Sequence, residues 1–113
     1  VEIVGLPLDQ VKILLENCNA IEATFYLTSQ SMSTVGETLG QFMTMIDLGN
    51  APLTLNKEEQ GHFVFLSNGE QLHLAKLSIG EHGSYVHFQY EGKDYYNRLS
   101  EQGDTFFRGI ALP

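Results

Sequence analysis

The sequence predicts an α+β fold in which two N-terminal helices, separated by a strand, pack on a curved antiparallel meander of about five strands. Apolar residues recur at helical spacing in the first half of the chain and alternate with polar ones in the second. Two segments of the second half are also punctuated by turn dipeptides. At 113 residues, 42% of them hydrophobic and with seven Phe and five Tyr, the chain is long and apolar enough for one core but not for two. A single domain over residues 1–113 is therefore expected, since no linker, repeat or low-complexity run divides the chain.

The first helix is read from "LPLDQVKILLENCN", where Leu8, Val11, Leu15 and Cys18 share a face with Leu14 alongside. Pro7 suits the approach to a first turn, and the helix should run from about Leu8 to Asn17. In "AIEATFYLT" the period changes to two. Ile21, Ala23, Phe25 and Leu27 alternate with Glu22, Thr24 and Tyr26, as in a strand with one buried side. The polar run "SQSMST" reads as a connector. Beyond it, "TVGETLGQFMTMIDLGN" is the second helix candidate. Thr34 and Glu37 form a capping-box pattern, Val35, Leu39, Phe42 and Ile46 make a stripe, and Gly49-Asn50 offers a stop. Gly36 and Gly40 on that helix suggest close approach to another backbone.

From Pro52 onward strands are expected. "PLTL" reads as a short one before the solvated "NKEEQG". In "HFVFLSNGEQLHLAKL", Asn68-Gly69 is the pair that a type I′ hairpin turn needs, because both central residues take positive φ. That register sets Phe63 opposite Leu74 and Phe65 opposite Leu72 on the buried side. His62, Val64, Leu66, Gln71, His73 and Ala75 fall on the other. Apolar residues on both sides of the strand (Leu72 and Leu74 against Ala75 and Leu77) point to a bulge or strong curvature. In "SYVHFQYEGKDYYNRL" a turn at Gly92-Lys93 pairs Phe88 with Asn97, Val86 with Leu99, His87 with Arg98 and Gln89 with Tyr96. "DTFFRGIAL" reads as a terminal strand after a loop from Glu101 to Asp104. The helices are expected to cover Phe63, Phe65, Leu72, Leu74, Val86, Phe88 and Leu99.

Composition excludes several functions. Fourteen acidic against six basic side chains give a net charge of -8, and the cations (Lys12, Lys57, Lys76, Lys93, Arg98, Arg108) are scattered. Phosphate-backbone binding needs clustered cations, so nucleic acid is not expected as a partner. No apolar run reaches the length of a membrane span and no leader is recognisable, so no membrane partner is expected either. The lone Cys18 rules out an internal disulfide and, lying on the apolar helix stripe, reads as a small hydrophobe. This directs the expectation to a reducing, cytoplasmic setting, although a start at Val1 is compatible with a removed leader. Four histidines (His62, His73, His82, His87) lack the spacing of a metal site, even with His62 and His73 placed on the outer face of one hairpin. No metal or cofactor is expected. Nor does any nucleophile motif occur, and the Glu81-His82 pair reads as a loop tip.

What stands out is one strand face. A plain solvent face carries Lys, Glu and Thr, whereas here Tyr85, His87, Gln89, Tyr96 and Arg98 are expected to sit together. These five are the candidate binding residues, with no catalytic set named. The expected function is a small acidic binding module without enzymatic activity, such as an adaptor, inhibitor or immunity-type protein engaging a protein partner. The alternative is a small-molecule-binding or acid–base enzyme fold, its pocket between curved sheet and helices and centred on His87. A homodimer through the same face is a third account of its aromatic residues.

Overall fold

A computed structural model of the chain describes residues 3–46, 51–52, 55–56, 58–80 and 83–113, without the side chains of residues 8, 37 and 38. Gly49-Asn50, the Leu53-Thr54 half of "PLTL" and Glu81-His82 lie outside the described residues. The fold is α+β. Among the described residues six strands form one antiparallel sheet and three α-helices accompany it: α1 (Leu8–Glu16), β1 (Ala20–Phe25), β2 (Gln30–Val35), α2 (Gln41–Thr44), β3 (Gly61–Ser67), β4 (Glu70–Gly80), β5 (Gly83–Tyr90), β6 (Lys93–Arg98) and α3 (Glu101–Ala111). The spatial order is β2-β1-β3-β4-β5-β6, so β3 to β6 form a meander and the β1–β2 hairpin extends it at one side.

Alternation divides the sheet into two faces. One buries Ile21, Ala23, Phe25, Phe63, Phe65, Ala75, Leu77, Val86 and Phe88. All three helices pack on that side. α1 inserts Val11 and Leu14 into the core. The Phe42 ring of α2 meets Phe63 and Phe65 edge-on at 5.4 and 5.6 Å, and Phe107 of α3 meets Phe63 at 5.5 Å. The opposite face has no helix among the described residues.

Four expected elements differ in the structure. "SQSMST" is a strand, β2, paired throughout its length with β1. Its polarity is that of an edge strand with little to bury. The second helix is reduced to a 3-10 segment, Gly36–Gly40, and the single turn of α2. Thr34 belongs to β2, and the Glu37 side chain of the expected capping box lies outside the described residues, while Gly36 at φ +61° ends the strand in a left-handed conformation. Among the described residues nothing lies within 4 Å of where a Cβ would stand on Gly36 or Gly40, so neither glycine is needed there for a close approach. "DTFFRGIAL" is not a strand but most of α3, and the expected loop from Glu101 to Asp104 is its first turn. Ser100 caps that turn by accepting from the Gly103 amide at 3.0 Å, and Arg108 grips Asp104 one turn back at 2.9 Å. Pro52 and Leu55, the ends of "PLTL", are not in a strand.

Both hairpins form, with altered pairing. Asn68 and Gly69 take φ of 50° and 86°, as the I′ turn requires. A bulge beyond Leu66 then shifts the register, so Phe65 faces His73 and Phe63 faces Ala75. Leu74 is thereby turned to the helix-free face, Leu72 is left exposed, and His73 departs from the side that carries His62. In the second hairpin Glu91 and Gly92, not Gly92 and Lys93, occupy the turn at φ 50° and 78°. Phe88 consequently faces Tyr95, and Val86 faces Asn97. Two positions of shift leave every side chain on its expected face.

The β6 edge is closed by the chain's own N-terminal segment. Tyr96 N–H donates to Val4 O at 2.8 Å, while the wholly buried Asn97 side chain accepts from Leu6 N–H at 2.8 Å and donates to Leu6 O at 3.0 Å. At α1, burial raises the Cys18 thiol pKa, partly offset by a backbone hydrogen bond. Cys18 should therefore react with a disulfide reagent at neutral pH only as fast as the protein opens. Absorbance of the released thiol should show slow labelling in buffer and immediate labelling in denaturant. No helix among the described residues is long and apolar enough to cross a membrane.

Candidate functional site

The helix-free face of β5 and β6 brings the five candidate residues together. Tyr85 lies opposite Arg98, His87 opposite Tyr96, and Gln89 opposite Asp94. At the centre His87 and Tyr96 stack nearly parallel, with centroids 4.4 Å apart and planes 15° apart. Tyr85 meets the same Tyr96 ring edge-on at 5.6 Å. His87 Nε2 donates to Asp94 Oδ1 at 2.9 Å, which fixes the imidazole against rotation. Stacking leaves the His87 side chain only 16% exposed, whereas Gln89 and Arg98 reach into solvent.

Tyr85 is different from the other four. It is 4% exposed, and its hydroxyl accepts from Asn56 N–H at 2.9 Å. Asn56 belongs to a strap, residues 55–56 and 58–60, that lies against β4 and β5 on this face. Its side-chain amide donates to Ser78 Oγ and Gly83 O, and Ser78 Oγ donates to Glu58 O at 2.8 Å. Farther along, Gln60 Oε1 accepts from Ile79 N–H at 2.6 Å. Tyr85 therefore props the Tyr96 ring from below rather than presenting itself.

Asp94 escaped the sequence reading because the expected turn placed it in the loop. A turn at Glu91-Gly92 would have set it beside His87. The hydrogen bond from His87 lowers the Asp94 pKa, against the opposing effect of desolvation. A depressed carboxylate value stabilises the fold above the ordinary range, and that contribution fades as pH falls through the folded value. In a carboxyl NMR titration, H87A should move the Asp94 midpoint upward toward an ordinary aspartate. An unchanged midpoint would mean the bond is not made in solution. Burial raises the Tyr96 phenol pKa, and the Asp94 charge adds to it, so Tyr96 stays a neutral donor.

Known proteins offer no guide here. The chain matches no protein-family model, no curated protein and no solved structure.

A second polar pair on this face lies nearer β2: Tyr26 Oη and His62 Nδ1 are 2.7 Å apart, with their rings tilted at 5.5 Å. Burial raises the Tyr26 pKa, and nearby Glu59 adds to the shift. His73, on the other face, packs against Tyr90 at 5.1 Å and lines a cleft of about 380 Å³ with Ile13, Leu14 and Leu72. The expected outer-face pair of His62 and His73 is thus divided by the sheet. Among the described residues no three of His, Cys, Asp and Glu converge as metal ligands would.

His87 also stands apart from the alternative expected for it. It lies on the face away from the helices, not between sheet and helices. The described clefts, including one of about 100 Å³ under β2, are lined by other residues.

Proposed function

We propose that the chain is a binding module without enzymatic activity that engages a protein partner through the helix-free face of its sheet, as a small adaptor, inhibitor or immunity-type protein does. The observation that carries this reading is the rigid His87–Tyr96 stack on an open face, flanked by solvent-exposed Gln89 and Arg98. Asp94 locks one ring and the Tyr85–Asn56 prop holds the other, so little side-chain entropy remains to be lost on binding. Aromatic anchors beside an arginine are the residue types that dominate interface energies. A net charge of -8 favours a partner with a basic surface.

The test is differential capture from the native source with mass spectrometry, followed by titration of the recovered protein. Y96A and R98E should each weaken the purified pair at least about tenfold. Equal affinity for all three chains would remove the face from the interface. If a small molecule alone raises the melting temperature and nothing is captured, the adaptor reading fails.

A second reading, a small-molecule or acid–base site centred on His87, draws on Asp94, since a carboxylate on one imidazole nitrogen is how a general base is oriented. Self-association through the same face is the third; sedimentation at rising concentration separates it from both.

A further inference from the structure

The two edges of the sheet are treated differently. β6 is covered by residues 4–6 and carries Lys93, Asp94 and Arg98. β2, "QSMSTV", has neither a charge nor a proline, and among the described residues no strand lies beyond it. Charges, prolines and covering segments are the usual means by which a sheet edge is kept from pairing. None of the three protects residues 30–34 of β2 among the described residues.

Backbone alternation identifies which groups are on offer. Tyr26 N–H donates to Gln60 O at 2.8 Å, so the even positions of β1 bond toward β3 and the odd ones toward β2. Through the pairs Ala23–Met32 and Ile21–Thr34, Met32 and Thr34 bond inward. Ser31 and Ser33 then direct their backbone groups outward.

Directly beneath β2, on its core side, lies a partly open cleft of about 100 Å³ between the sheet and α2 and α3. Met32 and Thr34 form its β2 wall, Met45 and Phe42 another, and Phe106, 39% exposed, stands beside them. Two of the chain's three methionines line it, and such side chains repack readily around an incoming group. The volume suits one apolar side chain. Charge adds a preference. From Ile13 to Asn56 there are four acidic residues and no Lys or Arg.

We propose that β2 and the cleft beneath it receive an extended, Lys- or Arg-bearing segment of another polypeptide, which pairs with Ser31 and Ser33 as an added strand and drops one apolar side chain between Met32 and Phe106. Strand addition of this kind takes affinity from the backbone and specificity from the pocket. A second copy of this chain fits less well, because two bodies of charge -8 repel. The surface is at the far side of the sheet from His87 and does not rest on the function proposed above.

The test uses an array of ten-residue peptides with Lys at both ends, alternating Thr and Val, and each of the twenty amino acids in turn at a central position. Selective binding with Phe, Leu or Met at the centre is expected, with amide shifts at Ser31 and Ser33 in NMR spectra. Replacing the central Phe by Ala should cost at least about tenfold in affinity. N-methylation of alternate peptide amides should abolish binding, a control that leaves the protein untouched. S33P should do the same while keeping its melting temperature, since proline is tolerated where an edge N–H faces outward. No binding up to millimolar peptide, or binding that survives both N-methylation and S33P, would overturn the proposal. So would sedimentation showing that S33P converts a dimer into a monomer, which would make the occupant a second copy.

Discussion

F63A should lower the free energy of unfolding by about 3–5 kcal/mol, the range for removing a buried phenyl ring. Phe63 is 2% exposed and joins two helices to the sheet, meeting Phe42 of α2 at 5.4 Å and Phe107 of α3 at 5.5 Å, both edge-on. Loss of the ring forfeits both aromatic contacts and leaves a void that opens into the cleft under β2. Relaxation of Met45 into the gap can recover part of the loss but not the edge-to-face geometry. Urea unfolding should show a lower midpoint with an unchanged slope. A loss under about 1 kcal/mol would mean that α2 and α3 are not held to the sheet through this residue.

Where side chains alternate around a buried face, the sequence was informative. His87, Gln89, Tyr96 and Arg98 share a face in the structure because a two-position shift in hairpin pairing preserves side-chain direction. Their partners were not legible. The shift arises from Glu91, a residue that seldom adopts the φ of 50° it takes here, so the pattern favoured the glycine one place later as the first turn residue. The bulge in β4 had a visible cause, apolar side chains on both sides of one strand, but its position was hidden. That position decides the fate of His73 and Leu74. The strap that props Tyr85 was beyond sequence reasoning, since Asn56, Glu58 and Gln60 resemble any polar loop until they are seen bonding to Ser78 and Ile79.

The terminal helix was misread for a different reason, and that reason yields the second large prediction. α3 turns Gly103, Phe107 and Ala111 inward at intervals of four, yet glycine and alanine do not register as an apolar stripe, while adjacent Phe106 and Phe107 imitate a buried strand. Gly103 is small because the helix lies against the backbone of Met45. A Cβ there would fall on the Met45 carbonyl oxygen, the same carbonyl that accepts from Ser100 N–H at 2.9 Å. Helix propensity favours alanine over glycine by about 1 kcal/mol. Steric overlap with a fixed carbonyl outweighs it, and G103A should destabilise the protein by about 3 kcal/mol, the upper part of the range for overpacking. In the same helix Gly109 is exposed and has open space around its Cβ position. G109A should therefore stabilise by about 0.5–1 kcal/mol. Opposite signs for one substitution at two positions of one helix would be read from paired urea midpoints. If both substitutions stabilise, the close contact between α3 and Met45 does not exist in solution, and the helix is placed by Phe107 and the Ser100 cap alone.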